Sequence, residues 1–318
     1  MTVEFRLVED GDYDHEAIVR IGRAIRPDDY ISVADIQDWE ENQRRAGRFA
    51  ARWLVSVAGA VAGSASFGQT PWIEPTTLYV HVMVHPDHQR RGYGRTLLER
   101  LETTAIEREA SRLLGQAEER DERTIRFLER ADFREIDREW RSTLDLGAFD
   151  PASWGLALDR VEASGIRIIS VATLSESHPQ WKSDLHRLYI DVERDVPTPL
   201  QILEVPFEDF DAMMLGRHLM ADGFVVAMDG DDMVGFTEPQ PVDDDPTAIA
   251  QELTGVRRAH RGRGIATALK AASAIWAKQR GYASIRTYNA QSNAAMLAVN
   301  DRLGFEREHA QIEYLKTL

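Results

Sequence analysis

The chain has 318 residues, a formal net charge of −15 and no cysteine. That charge argues against a nucleic-acid partner, which requires a basic face. The missing cysteines exclude disulfides, thiolate metal sites and thiol nucleophiles. At 43 % hydrophobic, the length accommodates two domains with buried cores. The charged, polar start and the lack of any apolar run of ~18 residues lead us to expect a cytoplasmic chain with no membrane partner.

Residues 3–8 alternate as a short strand. Asp14 is expected to cap a helix through Ile25, and after Pro27 residues 32–46 read as a second helix. Residues 53–57 and 61–67 are strands about a tight turn at Gly59, and 78–84 is the next strand. A basic turn then feeds a helix to about Ala110, with Leu97, Leu98, Leu101 and Ala105 inward. Residues 111–116 form a strand, 121–131 a helix, and 133–146 are expected to be a hairpin. Asp150 and Pro151 open a connecting helix as cap and first-turn proline, and Gly165 ends it. The order restarts at Ile166, with helices at 181–193 and 207–220. A hairpin of 224–228 with 233–237 turns at Asp229-Gly230, and 242–246 is a solvated acidic loop. The expected domains are 1–147 and 166–318, with 148–165 connecting them.

Two stretches share one order of strand, basic glycine-rich turn and amphipathic helix: residues 78–98 and 250–270. A constant offset of 172 residues pairs Val84 with Val256, Gly92 with Gly264, and Phe133 with Phe305. A repeat of this length means two copies of a domain rather than a solenoid. A strand ending in such a turn presents unpaired N–H groups at a helix N-terminus, where an anion is stabilised. Gly92 and Gly264 keep the approach clear of any Cβ, and Arg90, Arg91, Arg261 and Arg263 add charge, so a diphosphate is the natural guest. No GK(S/T) follows as in a P-loop, and the glycines fall short of GxGxxG.

Gln89-Arg90-Arg91-Gly92-Tyr93-Gly94 and Arg261-Gly262-Arg263-Gly264-Ile265-Ala266 each resemble the acetyl-CoA loop of the GNAT acetyltransferase superfamily, (Q/R)xxGx(G/A). The doubled motif is similar to tandem GNAT proteins of the mycothiol synthase type. The resemblance implies an α/β (α+β) fold of two tandem domains. Each would be a mixed, mostly antiparallel seven-stranded sheet flanked by about four helices. It implies acetyl-CoA as acyl donor without a metal, the diphosphate on the turns, and the pantetheine arm beside the backbone of Val82, Val84, Thr254 and Val256.

The resemblance also implies an asparagine at the start of the last helix and a tyrosine acid before a GF pair. The second copy offers Asn289, Asn293 and Leu303-Gly304-Phe305, but Asn300 stands at the tyrosine position. In the first copy Asp121, Leu128 and Asp132 occupy the positions of Asn293, Asn300 and Gly304. The second half is therefore expected to carry the chemistry, with Glu252 as candidate base and Asn300 at the acid's place. His81 and Tyr79 lie on the corresponding strand of the first half. Glu193, Asp195 and Glu204 are expected to favour a cationic acceptor, a small-molecule amine, on a monomer or homodimer. The competing expectation is a non-catalytic acyl-CoA-binding module with decayed active sites.

Overall fold

The computed structural model describes residues 2–8, 15–26, 32–216, 218–242 and 245–318. The cap expected at Asp14, the break at Pro27, and Asp243 and Asp244 of the acidic loop lie outside them. The chain divides into two compact units. One comprises 1–136, 200–203 and 312–318; the other comprises 137–199 and 204–311. Residues 137–165 thus count with the second unit and 312–318 with the first, where chain order alone assigns them otherwise.

The first unit runs β1 (Val3–Val8), α1 (His15–Ile25), α2 (Val33–Arg45), β2 (Ala50–Val57), β3 (Ala60–Gly68), β4 (Thr77–Val84), α3 (Tyr93–Glu107), β5 (Arg112–Glu118) and α4 (Glu122–Arg130). Ser32 and Asp35 close a capping box that fixes the start of α2. Ala58 and Gly59, at φ 52° and 85°, make the two-residue turn whose twist suits the β2–β3 hairpin. Neighbours β1 to β4 pair antiparallel, and β4 pairs β5 in parallel. Leu97, Leu98, Leu101 and Ala105 of α3 pack on Val55, Phe67, Leu78 and Leu113. Each such leucine contributes roughly 1.5–3 kcal/mol on leaving water.

The second unit holds the greater part of β6 (Arg134–Asp145), then α5 (Gly155–Ala163), β7 (Ile166–Ser170), α6 (Val171–Ser177), α7 (Trp181–Glu193), α8 (Phe207–Met214), β8 (Val225–Asp229), β9 (Asp232–Pro241), β10 (Ala248–Val256), α9 (Ile265–Gln279), β11 (Ser284–Ala290) and α10 (Ala294–Leu303), with the start of β12 (Glu306–Thr317). Its strand order is β6-β11-β10-β9-β8-β7, with β10–β11 parallel and the other pairs antiparallel. Ile249, Ile285 and Phe305 meet α9 and α10 in one core cluster, while Val234, Val256 and Ile265 meet α5 in another.

The fold class is the expected mixed α/β one, and three details differ. Residues 133–146 do not form a hairpin. They run as the single strand β6, so the described residues hold twelve strands rather than two sets of seven. Helix α8 stops at Met214, short of Met220. Helix α6, which was not anticipated, starts where the Ser170 side chain accepts from the Thr173 N–H.

Candidate active site

Both pre-turn strands lose their parallel partner midway. β4 pairs with β5 only over Thr77–Tyr79, and β10 with β11 only over Ala248–Ala250. Beyond those points Val82 and Val84, and Thr254 and Val256, lie on an edge with no ladder partner on that side among the described residues. An extended, amide-bearing ligand is what such an edge accepts.

The turns at the ends of these strands match atom for atom in their first contact. Gln89 Nε2 donates to the Val84 carbonyl at 2.9 Å, and Arg261 Nε donates to the Val256 carbonyl at 2.9 Å. Gly92 and Gly264 precede α3 and α9 at φ 84° and 80°, and neither helix has a side-chain cap. A Cβ at Gly92 would meet nothing within 4 Å, and one at Gly264 only Val161 at 4.0 Å. Glycine is held there by its backbone conformation, and no side chain caps the first-turn N–H groups among the described residues. Tyr93 packs edge-on to Phe5, Gly94 faces Phe127, and Ile265 is buried beside Ala266.

The second turn's arginines are tied down. Asp195 binds Arg258 and, at 2.6 Å, Arg261; Arg257 meets Asp191 at 3.1 Å; Arg263 donates to the Ser164 carbonyl at 3.0 Å. The Arg258 hydrogen bond leads the contacts that hold Asp195 below the usual carboxylate range. In the first turn Arg91 donates to the Asp87 carbonyl at 3.0 Å, Arg123 caps Gln89, and Arg90 is exposed.

Next to the second turn β10 carries a bulge. Gln251 faces Pro239 and Thr254 faces Thr237, so Glu252 and Leu253 together oppose Glu238. The bulge brings two carboxylates across from each other, and α7 lies over them: its Val192 packs on Gly255, and its Tyr189 ring is 6.5 Å from Phe236. Glu238 is 3 % exposed, accepts from Gln240 Nε2 at 2.6 Å, and is pushed up to about 8. Burial is the main cause, and the charges of Glu252 and Glu193 add to it. Glu252 is exposed to water, with protein packed around it. The crowding raises its pKa although the carboxylate still touches solvent. Burial raises Glu193 too, and Tyr189 is pushed up by burial with the Glu193 and Glu238 charges behind it. Of the acids expected to favour a cation, Glu193 belongs to this group. Asp195 is held by Arg258 and Arg261, and Glu204 by Arg194.

On the other face of β10, Gln251 follows Ile249 toward α9 and α10. The Thr287 hydroxyl donates to the Gln251 carbonyl at 2.8 Å. Asn300, 1 % exposed, donates to Asn289 Oδ1 at 2.6 Å, and Asn293 caps α10 by accepting from the Met296 N–H at 3.2 Å. Half-buried Asn289 and buried Asn300 thus form one pair, and Asn293 holds a helix end.

The first half builds its counterpart differently. β4 pairs with β3 without a bulge, Val80 stands at the position of Glu252, and Ser66 at that of Glu238. His81 is open to solvent but crowded by protein, which together with Arg52 and Arg26 lowers its pKa, and Tyr79 donates to Glu313 at 3.0 Å. Among the described residues no group of three or more metal-type ligands converges.

Comparison with known proteins matches residues 18–133 and 179–305 to the acetyltransferase (GNAT) family. The chain is 24 % identical over 253 residues to a mycothiol acetyltransferase of Amycolatopsis mediterranei, covering 73 % of each chain. It is 31 % identical over 93 residues to a mycothiol acetyltransferase of Rhodococcus erythropolis, a match spanning only 31 % of that protein. Its fold resembles a tandem GNAT protein from the clavulanic acid biosynthesis pathway, with TM-score 0.75, 19 % identity, and 99 % and 98 % of the two chains covered. A GCN5-related N-acetyltransferase from Sphaerobacter thermophilus superposes at TM-score 0.71, with 19 % identity over 98 % and 95 % of the chains.

Proposed function

Since this chain belongs to the GNAT acetyltransferase family, we propose that it is an acetyl-CoA-dependent N-acetyltransferase whose second half transfers acetyl to a primary amine of a small cationic acceptor. The observation that carries this reading is the carboxylate group Glu193, Glu238 and Glu252, set at the bulge of a strand whose free edge leads to an anion-binding turn.

Acetyl-CoA supplies an activated thioester. In this reading the N–H groups after Gly264 hold its diphosphate, with Arg263 and Gly262 lining the turn. The edge at Thr254 and Val256 pairs with the amides of its pantetheine arm. Gly92, Arg90, Arg91, Gln89, Val82 and Val84 offer a parallel cradle in the first half.

A primary amine of pKa ~10.4 is about a thousandth neutral at pH 7, which leaves a cost of roughly 4–5 kcal/mol if nothing removes its proton. The carboxylate group both attracts the ammonium and takes that proton. Glu252, reached by water, accepts it directly. Glu238 lies behind, kept mostly protonated by its burial, and the crowding that raises Glu252 moves its affinity for a proton toward the working pH, where a general base is most effective. The two carboxylates oppose each other at the bulge, and the charge of Glu252 adds to what raises Glu238. The bulge also leaves backbone N–H groups outside the β9 ladder, available to oxygen charge that develops on the acetyl group.

A second reading, an acyl-CoA binder without turnover, draws its support from Asn300 at the expected tyrosine position. Calorimetric titration of acetyl-CoA into the chain and into its Gly92→Glu and Gly264→Glu variants tests the donor site. Loss of binding in Gly264→Glu, with Gly92→Glu retaining it, is the expected result. An affinity unaffected by Gly264→Glu removes the basis for placing the chemistry in the second half.

A further inference from the structure

Lys270 sits on α9, six residues beyond Gly264, and is 1 % exposed. Among the described residues no hydrogen bond or ion pair reaches its ammonium, and its notable neighbour is the Phe305 ring, 4.9 Å from Nζ. A buried ammonium without a hydrogen bond or counter-charge is expensive. The fold does not demand one here: the matching position of the first half is Leu98, a core leucine 3 % exposed.

Lys270 has polar company that is equally short of partners. Ser273, three residues on along α9, has a buried hydroxyl with no hydrogen bond. So do both amide atoms of Gln251 and Oδ1 of Asn300. Phe305, whose ring meets Lys270, donates its N–H to the Asn300 carbonyl at 3.0 Å, and Asn300 in turn donates to Asn289. Gln251 is the first residue of β10 past its pairing with β11, so this group borders the opening between the two strands. Unsatisfied buried polar groups are rare in native cores, and several around one opening point to a polar guest that enters there.

We propose that Lys270 is the proton donor to the sulfur of the leaving CoA in the second half, the task for which the family resemblance expects a tyrosine at position 300. This inference rests on the acetyl-transfer reading. The amine nitrogen bonds to the acetyl carbon, the carbon–sulfur bond breaks with its electron pair on sulfur, and the Lys270 ammonium passes one proton to that sulfur. CoA leaves as the thiol, Lys270 regains a proton from water, and the amine's proton departs on the Glu252–Glu238 pair. Burial draws Lys270 down to about 7, below the ~8.5 of a thiol, so the transfer runs downhill by roughly thirtyfold.

Two measurements test it, and both use the whole chain. Bromoacetyl-CoA places an electrophilic carbon beside the sulfur, and the chain has no cysteine to divert it. Mass spectrometry is expected to find one label per chain, on Lys270, suppressed by excess CoA. Hydroxylamine, largely unprotonated at pH 7, serves as a surrogate acceptor that needs no base and so isolates departure of the thiolate. Acetyl transfer to it is expected to fall at least tenfold in Lys270→Met with acetyl-CoA affinity within threefold of wild type. Lys270→Arg, which keeps the charge but holds its proton, is expected not to restore the rate. A label elsewhere, an unchanged rate in Lys270→Met, full rescue by arginine, or no acceleration by the wild type overturns the proposal. Acetyl accumulating on Lys270 does so too, by making it an acceptor. Failure of acetyl-CoA to bind the wild type in calorimetry removes the acetyl-transfer reading itself, and this proposal with it.

Discussion

The two strand–turn–helix segments share a backbone and differ in almost every group that does chemistry. Both strands end on a carbonyl held at 2.9 Å by the first side chain of the turn, and both helices start after a left-handed glycine. Both also cap the last helix with a side-chain oxygen, from Asp121 in one and Asn293 in the other. In the first half, however, β4 is regular and Val80, Leu98 and Leu128 are plain core residues. In the second half the bulge, Glu252, Lys270 and Asn300 replace that regularity. The comparison teaches that the backbone geometry of the turn persists in both halves, whereas the charged and polar side chains beside it stand only in the second, at positions that the first half fills with leucine and valine.

The sharpest way to break this asymmetry is at the carboxylates. Glu252→Gln and Glu238→Gln are each expected to slow acetyl transfer to an amine by 10²-fold or more, the usual worth of a positioned base, with little change in acetyl-CoA affinity. Steady-state kinetics together with calorimetry checks this. In the proposed mechanism the two acids serve one proton transfer, so the double variant is expected to lose little more than the worse single one. Losses that multiply would show that the two carboxylates act separately.

Stability against pH sharpens the comparison at the level of buried charge. Glu238 has a folded pKa of about 8, above its ordinary value, so the fold binds a proton that the unfolded chain has released. Its burial therefore costs nothing below pH ~4.5, and the cost grows to roughly 3–5 kcal/mol as pH rises toward 8. Lys270, lowered to about 7, has the opposite sign. Its cost is full below pH 7 and fades as pH rises to 10.5, where the unfolded lysine is also neutral. Denaturant midpoints are thus expected to rise in Glu238→Gln progressively from pH 4.5 to a plateau above pH 8, and in Lys270→Leu most below pH 7 with the gain fading toward pH 10.5. Parallel shifts at all pH values would mean that neither group is buried as the geometry has it.

Much of this arrangement was legible from residues alone, for reasons that can be named. The repeat exposed both turns, because a left-handed N-terminal glycine followed by a helix leaves a local signature. The cap at Asp150 was legible because a side chain reaching the backbone two residues on, just before a proline, is a local signal, whereas the caps of Ser32, Asp121 and Asn293 came only with the structure. Glu238 was not legible, since its meeting with Glu252 depends on one extra residue in β10. The available signal was Pro239, a residue without an N–H in the middle of a strand, which marks an irregular ladder. The single strand β6 was misread as a hairpin, although 134–145 contains no glycine, proline or asparagine to make a turn. Lys270 reads as part of an ordinary amphipathic helix until it is set against Leu98.

The smallest expected effect separates backbone from chemistry most cleanly. Arg90 stands at φ 63°, and its counterpart Gly262 at φ 76°; likewise Asp132 at φ 64° matches Gly304 at φ 91°. The first half therefore holds side chains in a left-handed conformation that the second half leaves to glycine. That conformation costs a non-glycine residue roughly 1–2 kcal/mol, of which the greater freedom of glycine in the unfolded chain takes back a part. Arg90→Gly and Asp132→Gly are each expected to stabilise the chain by about 0.5–1 kcal/mol in denaturant unfolding, and Gly262→Arg to destabilise it by a similar amount. Arg90→Gly also removes a cation from the first turn, so any acetyl-CoA affinity of that half is expected to fall while its stability rises. Stability and affinity falling together in Arg90→Gly would mean that the arginine, rather than the backbone, holds the first turn in shape, and the equivalence of the two turns would not survive it.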